Sequence, residues 1–196
     1  AQLEDSAFDI NSLLAFEFGE EFGRAEGVAF VDGASQLSPS GFMASTALGY
    51  TPGTDASAVK ADGLIDLYHA IDAAYRANAV WMMNSTTLAA VRKLKDGTSG
   101  QYLLIQGGIG NAPVTLLLGK PVIEAAQMPA VTGNAYPIAF GDFRQGYRIF
   151  DRVPLSILRD PYSQATNGMV RFHGRRRVAG GVGKAEAIRK LKIATS

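Results

Sequence analysis

Cysteine is absent from the 196-residue sequence, and histidine occurs only twice. The lack of cysteine excludes disulfide bonds, thiolate nucleophiles and cysteine metal sites. The two histidines, His69 and His173, do not form a helical metal-binding pair, and the sequence has no G-x-S-x-G nucleophile elbow. No apolar run approaches the roughly 20 residues of a membrane-spanning helix. A net charge of +1 gives no bulk attraction to nucleic acid or membrane.

What remains is typical of a globular chain. Hydrophobic residues make up 47% and charged residues 19%, which is enough apolar material for one domain or two small ones. The 22 glycines indicate many turns. The first ten residues, AQLEDSAFDI, are acidic and lack a basic segment, so they do not form a signal peptide. Because no initiator Met is present, we expect a processed or shortened chain.

The two ends of the sequence carry opposite charge. Residues 1–33 contain eight acidic residues and one basic residue, a net charge of −7. Residues 171–192 contain eight basic residues and one acidic residue, a net charge of +7. Such ends suit a chain that contacts copies of itself head to tail, but pairing within one subunit or two solvated faces would fit as well. The charge pattern alone leaves these alternatives open.

Apolar spacing predicts three helices. Asp9 can cap a first helix that ends at about Glu26 and has Leu14, Phe18, Phe22 and Ala25 on one stripe. Asp62 can cap a second helix over residues 63–78. Asn84 or Ser85 can cap a third helix that ends at Leu94. We expect the second helix to bury Leu64, Leu67, Tyr68, Ile71, Ala74 and Tyr75.

The other elements are predicted to be a long loop and several strands. The loop covers residues 33–55, and strands cover residues 79–83, 122–125, 155–159 and 169–178. Residues 138–140 and 147–150 flank GDFRQG and are predicted to form a hairpin. Residues 185–194 fit either a short helix or a helical turn followed by a strand. A few helices with hairpin-linked strands indicate an α+β fold.

Three segments resemble a known family. They are VWMMNSTTLAAVRKLKD at residues 80–96, LLGKPVIEAAQMP at 117–129 and IAFGDFRQGYRIFDR at 138–152. Their order and spacing are similar to those of tailed-bacteriophage major capsid proteins of the Hong Kong 97 type. The resemblance extends through LRDPY at 158–162 and RFHGRRRVAGGV at 171–182, and backward over the predicted first helix. It covers nearly the whole chain.

The resemblance implies the Hong Kong 97-type fold: a long spine helix, peripheral β-strands and a mixed α/β axial domain. Residues 1–27 would be the spine helix of the peripheral domain, and residues 28–151 the axial domain. Residues 152–180 would be the peripheral strands, and residues 181–196 would return to the axial domain. The N-terminal arm and extended loop of the family are expected to be absent. Because those parts clasp neighbouring subunits, we expect the chain as given to form monomers or small rings.

The resemblance also implies a function. The chain would be a structural, non-enzymatic subunit of an icosahedral viral capsid, without cofactor or metal, that self-assembles as pentamers and hexamers around nonspecifically held double-stranded DNA. Scaffold, protease and portal proteins are further implied partners, and no membrane is. The expected location is the virion, and the bacterial cytoplasm during assembly. Two alternatives are an encapsulin-like compartment and a small hydrolase or nucleotide-binding enzyme.

The enzyme alternative has little support in the sequence. GGVGKA at residues 180–185 superficially resembles a phosphate-binding loop. That motif needs a glycine where Val178 stands and a serine or threonine where Ala185 stands, the latter to hold Mg²⁺. A glycine-rich turn at the end of a strand explains the segment better.

We predict an inter-subunit contact between the acidic helix and the arginine-rich strand. If residues 169–178 form a strand, Arg171, His173, Arg175 and Arg177 share one face. That face could meet DNA phosphates nonspecifically, but the matching acidic end favours salt bridges between subunits. The predicted contact residues are Glu17, Glu20, Glu21, Arg171, Arg175 and Arg177.

Overall fold

Two separate β-sheets organise the chain, a six-stranded mixed sheet and a two-stranded antiparallel ribbon. The computed structural model describes residues 10–35, 38–95, 116–168 and 170–194. The helices are α1 (Ile10–Asp32), α2 (Ala61–His69), α3 (Ala73–Arg76), α4 (Ser85–Arg92) and α5 (Phe143–Gly146). The strands are β1 (Tyr50–Pro52), β2 (Val80–Met83), β3 (Leu116–Leu117), β4 (Lys120–Glu124), β5 (Ile138–Gly141), β6 (Tyr147–Asp160), β7 (Arg171–Val182) and β8 (Ile188–Lys192). The α+β prediction is confirmed.

The six-stranded sheet has the order β1-β8-β5-β2-β4-β3. β5 runs antiparallel to both of its neighbours, whereas β2–β4 and β1–β8 are parallel pairs. Trp81 on β2 lies directly opposite Phe140 on β5, and their stacked rings are 4.2 Å apart between centroids. The indole N–H of Trp81 donates to the carbonyl of Leu117, which ties the edge strand β3 to the core. This core therefore has a buried aromatic pair at its centre.

The predicted loop over residues 33–55 is interrupted by β1 (Tyr50–Pro52), which pairs with β8, and its described residues 38–48 pack against the other face of this sheet. Phe42, Met43 and Leu48 are buried there. Lys190 on β8 is 5% exposed, and its ammonium donates to the carbonyls of Met43 and Ser45, each at 3.0 Å. Burial lowers the pKa of Lys190. A buried cation thus holds a segment that has little secondary structure of its own.

The predicted second helix is interrupted. α2 ends at His69, and the shorter α3 begins only after Asp72, whose carboxylate caps it by accepting from the Ala74 amide. Asp62 lies inside the first turn of α2 and is not its cap, and Ala74 is exposed instead of buried. Asn84 caps α4 through the Thr87 amide, as predicted.

The predicted hairpin around GDFRQG is wrong. β5 pairs with β2 and β8, whereas β6 pairs with β7 in the ribbon. Asp142 accepts from the amides of Arg144 and Gln145, so the segment forms the short helix α5 and not a turn. The chain changes sheets at this point. Residues 185–194 were predicted to form either a short helix or a helical turn followed by a strand. The second alternative is confirmed, since a helical turn (Ala185–Ala187) precedes β8.

The first helix is longer than predicted, because α1 extends to Asp32 and not to about Glu26. Its predicted cap, Asp9, lies outside the described residues. Val31 near its end is buried against the six-stranded sheet, and Met43 donates a backbone hydrogen bond to the Val31 carbonyl. Among the described helices, none is long and apolar enough to cross a membrane.

We expect Lys190→Met to lower the free energy of unfolding by about 1–3 kcal/mol, because the substitution leaves the Met43 and Ser45 carbonyls without their donor. Urea denaturation of the unassembled subunit measures this. Lys192→Met is the matched control two residues away. Its ammonium lies 5.3 Å from the centroid of the half-exposed ring of Tyr50, so the expected loss is below about 1 kcal/mol. Equal losses would contradict the role assigned to Lys190.

Candidate subunit-contact surface

Helix α1 lies along one face of strand β7, and both run in the same direction. Leu14 lines a cavity of about 190 Å³ with Ile157, Arg159 and Phe172. One turn later, Phe18 and Phe22 approach Gly174. Glu26 then meets Arg176 at 3.0 Å, and Phe30 lies against Gly180 and Tyr147. Phe172, Gly174, Arg176 and Gly180, which all lie on one side of β7, therefore face α1.

The spacing of the two elements explains this alignment. Four residues advance an α-helix by about 6 Å, and two residues advance a strand by about 6.6 Å. A contact every fourth helical residue can therefore follow a contact every second strand residue over several turns. Gly174 makes the close approach possible, since a β-carbon there would lie 3.1 Å from Phe22 and 3.3 Å from Phe18.

A partly buried ion pair reinforces the same contact. The Glu26 side chain is 15% exposed and that of Arg176 is 28% exposed. Arg176 also donates to Asp151 on β6 at 3.1 Å. The guanidinium thus joins the helix to both ribbon strands. The sequence prediction missed Arg176, although strand alternation places it on the face opposite Arg175 and Arg177.

The other face of the ribbon is cationic and points away from α1. Arg171, His173, Arg175 and Arg177 are all exposed, which confirms that they share one face. On β6, Leu158 lies opposite His173 and Phe150 lies opposite Ala179. Leu158 is 65% exposed and Phe150 is 62% exposed. We call Phe150, Leu158, Arg171, Arg175 and Arg177 the cationic ribbon face.

Asp160 organises the turn at the end of this face. Its carboxylate accepts from the amides of Tyr162 and Ser163 and from the Ser163 hydroxyl. These three hydrogen bonds hold the pKa of Asp160 below its usual value, and the one from the Ser163 hydroxyl contributes most. His173 lies 3.9 Å from the same carboxylate. The turn between the two ribbon strands is therefore closed by side-chain hydrogen bonds.

The outward side of α1 is acidic and partly apolar. With 100° between successive helical residues, Glu20 lies opposite the stripe of Phe18 and Phe22. Glu17 and Glu21 lie on one flank, and all three carboxylates are exposed. Leu13 is 55% exposed and Phe16 is 66% exposed on the same outward side. We call Leu13, Phe16, Glu17, Glu20 and Glu21 the acidic helix face.

The structure does not bring the six predicted contact residues together within one subunit. The acidic helix face and the cationic ribbon face lie on opposite sides of the helix–ribbon layer. Among the described residues, the ion pairs between helix and ribbon are limited to Glu26–Arg176. Glu21 pairs with Arg24 of its own helix at 2.8 Å. Pairing between the helix and the ribbon within the subunit therefore uses Glu26 and Arg176, which are not among the six predicted residues.

The described residues offer little for catalysis. No group of three or more His, Cys, Asp or Glu side chains in the described ranges could hold a metal ion. The glycine-rich segment at residues 180–183 forms the end of β7 and the start of the turn that follows. A β-carbon at Gly180 would collide with Tyr147. Packing thus explains Gly180, whereas a β-carbon at Gly181 would meet nothing within 4 Å.

The family of this chain follows from its similarity to known proteins. The model of the phage capsid family matches residues 1–193. This chain belongs to the phage capsid family. A search of curated proteins gives no match.

Solved capsids agree with this assignment. The capsid of an empty gene transfer agent (GTA) particle is 40% identical, with a TM-score of 0.90, and the match covers 98% of this chain and 69% of that one. The capsid of the native GTA particle gives the same identity and TM-score over 98% and 68%. The SrpI encapsulin of Synechococcus elongatus PCC 7942 is 17% identical, with a TM-score of 0.61, over 98% and 69%, which shows the fold alone.

The protein is therefore a structural subunit of a phage or GTA capsid, as the sequence predicted. Capsid subunits act as homo-oligomers within a particle, so the particle is also where the chain is located. The family and the fold imply a structural and not an enzymatic role. The Hong Kong 97-type resemblance is confirmed.

We expect Gly174→Val to loosen α1 from the ribbon of the capsid subunit and to cost about 1–3 kcal/mol, because the new side chain overlaps Phe18 and Phe22. Amide hydrogen exchange across α1 and urea unfolding measure the effect. Gly181→Val in the same strand is the control, since a β-carbon there meets nothing within 4 Å. Unchanged protection of α1 in the Gly174 variant would contradict the packing described here.

Glu26→Gln is expected to lower the stability of the capsid subunit by about 1–3 kcal/mol, because Arg176 loses the more buried of its two carboxylate partners and keeps only Asp151. Glu21→Gln breaks the Arg24 pair, whose side chains are 69% and 64% exposed, and should cost no more than about 0.5 kcal/mol. Chemical denaturation of both variants tests the contrast. Losses of the same size would show that burial does not strengthen the Glu26 contact.

Proposed function

We propose that this chain forms a closed icosahedral shell of pentamers and hexamers around double-stranded DNA. The observation that carries the proposal is the 40% identity, over 98% of the chain, to the capsid of a native GTA particle. A TM-score of 0.90 indicates that the two subunits share their backbone fold over almost the whole of this chain. Closed shells need many modest contacts that act together, which suits a subunit with charged faces.

We propose the domain division that the sequence predicts. Residues 1–27 and 152–180 form the peripheral domain, and residues 28–151 and 181–196 form the axial domain. The separation of the two sheets supports two domains, since among the described residues β6 and β7 pair with each other and not with the six-stranded sheet. The proposed bounds fall inside α1, β6 and β7, which run to Asp32, from Tyr147 and to Val182. The six-stranded sheet contains its own aromatic core. Each domain would therefore keep its internal packing while the angle between domains adapts to pentamers and hexamers.

DNA in the shell would be held without sequence specificity. A net charge of +1 gives the subunit little overall attraction to phosphates, so packaged DNA is confined more than it is bound. The proposal also includes subunits that collect in the bacterial cytoplasm before assembly. Scaffold, protease and portal proteins are its further partners.

An encapsulin-like compartment is the alternative, and it has weaker support. The encapsulin match reaches 17% identity, whereas the GTA capsid matches reach 40%. A capsid and an encapsulin-like compartment share a fold, but one encloses DNA and the other encloses protein. The measurement that separates them is therefore what the particles enclose.

The test purifies particles from the bacterium that encodes the chain and treats them with nuclease before DNA extraction. We expect shells that contain this subunit and protect double-stranded DNA, because a closed shell excludes nuclease. Shells disrupted by heat before nuclease treatment are the control and should protect none. Intact shells filled with protein and free of DNA would contradict the proposal and favour the encapsulin-like alternative.

A further inference from the structure

We propose that Asn167 is a site of spontaneous deamidation, at which water converts the side-chain amide into a carboxylate through a cyclic imide formed with Gly168. The two residues are the only Asn-Gly dipeptide in the sequence. They lie between β6 and β7, in the turn that joins the two strands of the ribbon. The inference depends on the fold of the ribbon and not on the shell proposed above.

The turn that carries this dipeptide is open to water. Asn167 and Gly168 are both exposed, and Tyr162 in the same turn is 86% exposed. Water is the reactant that opens a cyclic imide, and it also solvates the ammonia that leaves. A buried amide would lack this supply, so exposure is the first requirement that the site meets.

The backbone around Gly168 can make the movement that ring closure needs. The Gly168 nitrogen has to approach the Asn167 Cγ, which requires the peptide group between them to rotate. Gly168 has a φ of +63°, where glycine is favoured, and a β-carbon there would meet no described atom within 4 Å. The regular structure before it is only a three-residue 3-10 turn (Ala165–Asn167). Little therefore opposes the rotation.

The Asn167 side chain has one surface hydrogen bond to hold its amide. Its Nδ2 donates to the Gln164 Oε1 at 2.8 Å, and its backbone amide donates to the Gln164 carbonyl at 3.0 Å. Both contacts lie within one exposed turn and are replaceable by water. The amide is therefore free to leave this position and react.

Two other asparagines show what the site adds. The Asn84 Oδ1 accepts from the Thr87 amide at 2.7 Å and its Nδ2 donates to the Met128 carbonyl at 3.1 Å, so both ends of that amide are held. Asn134 is exposed and has a φ of +62°, but the next residue is Ala135, whose methyl group crowds the attacking nitrogen. Asn167 combines exposure with an unhindered neighbour.

The reaction balances with water as its one co-reactant. The Gly168 backbone nitrogen bonds to the Asn167 Cγ, the Cγ–Nδ2 bond breaks, and the proton lost by the attacking nitrogen leaves with the ammonia. Water then adds to one of the two imide carbonyls and breaks its bond to the Gly168 nitrogen. Opening at Cγ gives aspartate, whereas opening at the backbone carbonyl gives isoaspartate, in which the main chain runs through the former side chain.

The product changes the charge and the geometry of the end of the ribbon. A carboxylate replaces a neutral amide, so the net charge of the chain falls from +1 to 0. The new charge stands four residues before Arg171, where the cationic ribbon face begins. A carboxylate has no hydrogen to donate, so the bond to the Gln164 Oε1 is lost. Isoaspartate also lengthens the main chain of the turn by one carbon.

Peptide mapping of the folded subunit tests the proposal. The freshly purified full-length subunit is kept at neutral and at mildly alkaline pH and then digested with trypsin, which cuts after Arg159 and Arg171. The resulting peptide, residues 160–171, contains Asn167 as its only asparagine. We expect a product that accumulates with time, in which fragmentation places the exchange of NH2 for OH at residue 167. It should form faster at alkaline pH, because the attacking nitrogen must lose a proton, and chromatography should separate aspartate from isoaspartate.

Three comparisons control the measurement. Gly168→Ala should slow the conversion about tenfold or more, because the added β-carbon hinders the nitrogen. Asn167→Gln should give almost no product, because its imide would need a less favourable six-membered ring. Asn134 of the natural protein, mapped with a second protease, should convert about tenfold more slowly than Asn167. If Gly168→Ala does not fold, as thermal unfolding would show, the comparison with Asn134 decides.

Three results would overturn the proposal. A synthetic peptide of residues 160–171 reacts without the fold, so an unmodified subunit after the time in which this peptide converts would show that the fold prevents ring closure. Equal rates at Asn167 and Asn134 would show that Gly168 gives no advantage. Aspartate without isoaspartate would show direct hydrolysis instead of a cyclic imide. The readout is a covalent change in the subunit, so the assembly and contents of the shell do not affect it.

Discussion

The match in spacing between α1 and β7 is the constraint on which the arrangement depends. Helix α1 stays in contact with β7 from Leu14 to Phe30, over four positions of the strand, and four helical residues cover nearly the same length as two strand residues. Gly174 removes the side chain that would separate them, and the Glu26–Arg176 pair fixes the register further along. Because one side of each element is committed to this contact, the other sides, one acidic and one cationic, must face outward.

The six-stranded sheet holds chain segments that have little regular secondary structure of their own. Trp81 and Phe140 form a stacked centre, and the indole reaches out to the edge strand at Leu117. On the other face, the buried ammonium of Lys190 binds two carbonyls of the loop before β1. The two sheets connect where Asp142 turns the chain from β5 into β6, and the Gly183 amide bonds the Gly146 carbonyl at the same junction. Forces applied to the ribbon would therefore reach the sheet at this point.

Much of this fold could be predicted from the sequence, and the predictions that were wrong failed for physical reasons. Strand alternation placed Arg171, Arg175 and Arg177 on one face, and Asn84 was identified as a cap, because both depend on local geometry. The hairpin around GDFRQG was wrong because the partners of β5 are distant in sequence, and only tertiary contacts select them. The helix predicted over residues 63–78 was interrupted because Asp72 accepts from the Ala74 amide and starts a new helix. Arg176 was missed as a helix partner because nothing local shows that α1 covers its face. The family resemblance supplied the function, which no single side chain reveals.

A cryo-electron-microscopy reconstruction of the assembled particle, at a resolution that shows side chains, tests the central claim most directly. The account predicts that α1 stays packed on β7 in the shell, with the Glu26 carboxylate within about 4 Å of the Arg176 guanidinium of the same subunit and with Phe18 and Phe22 against Gly174. That geometry would show that the packing within one subunit decides which faces are left for its neighbours. A reconstruction in which α1 is separated from β7 and the Glu26–Arg176 pair is broken would contradict it.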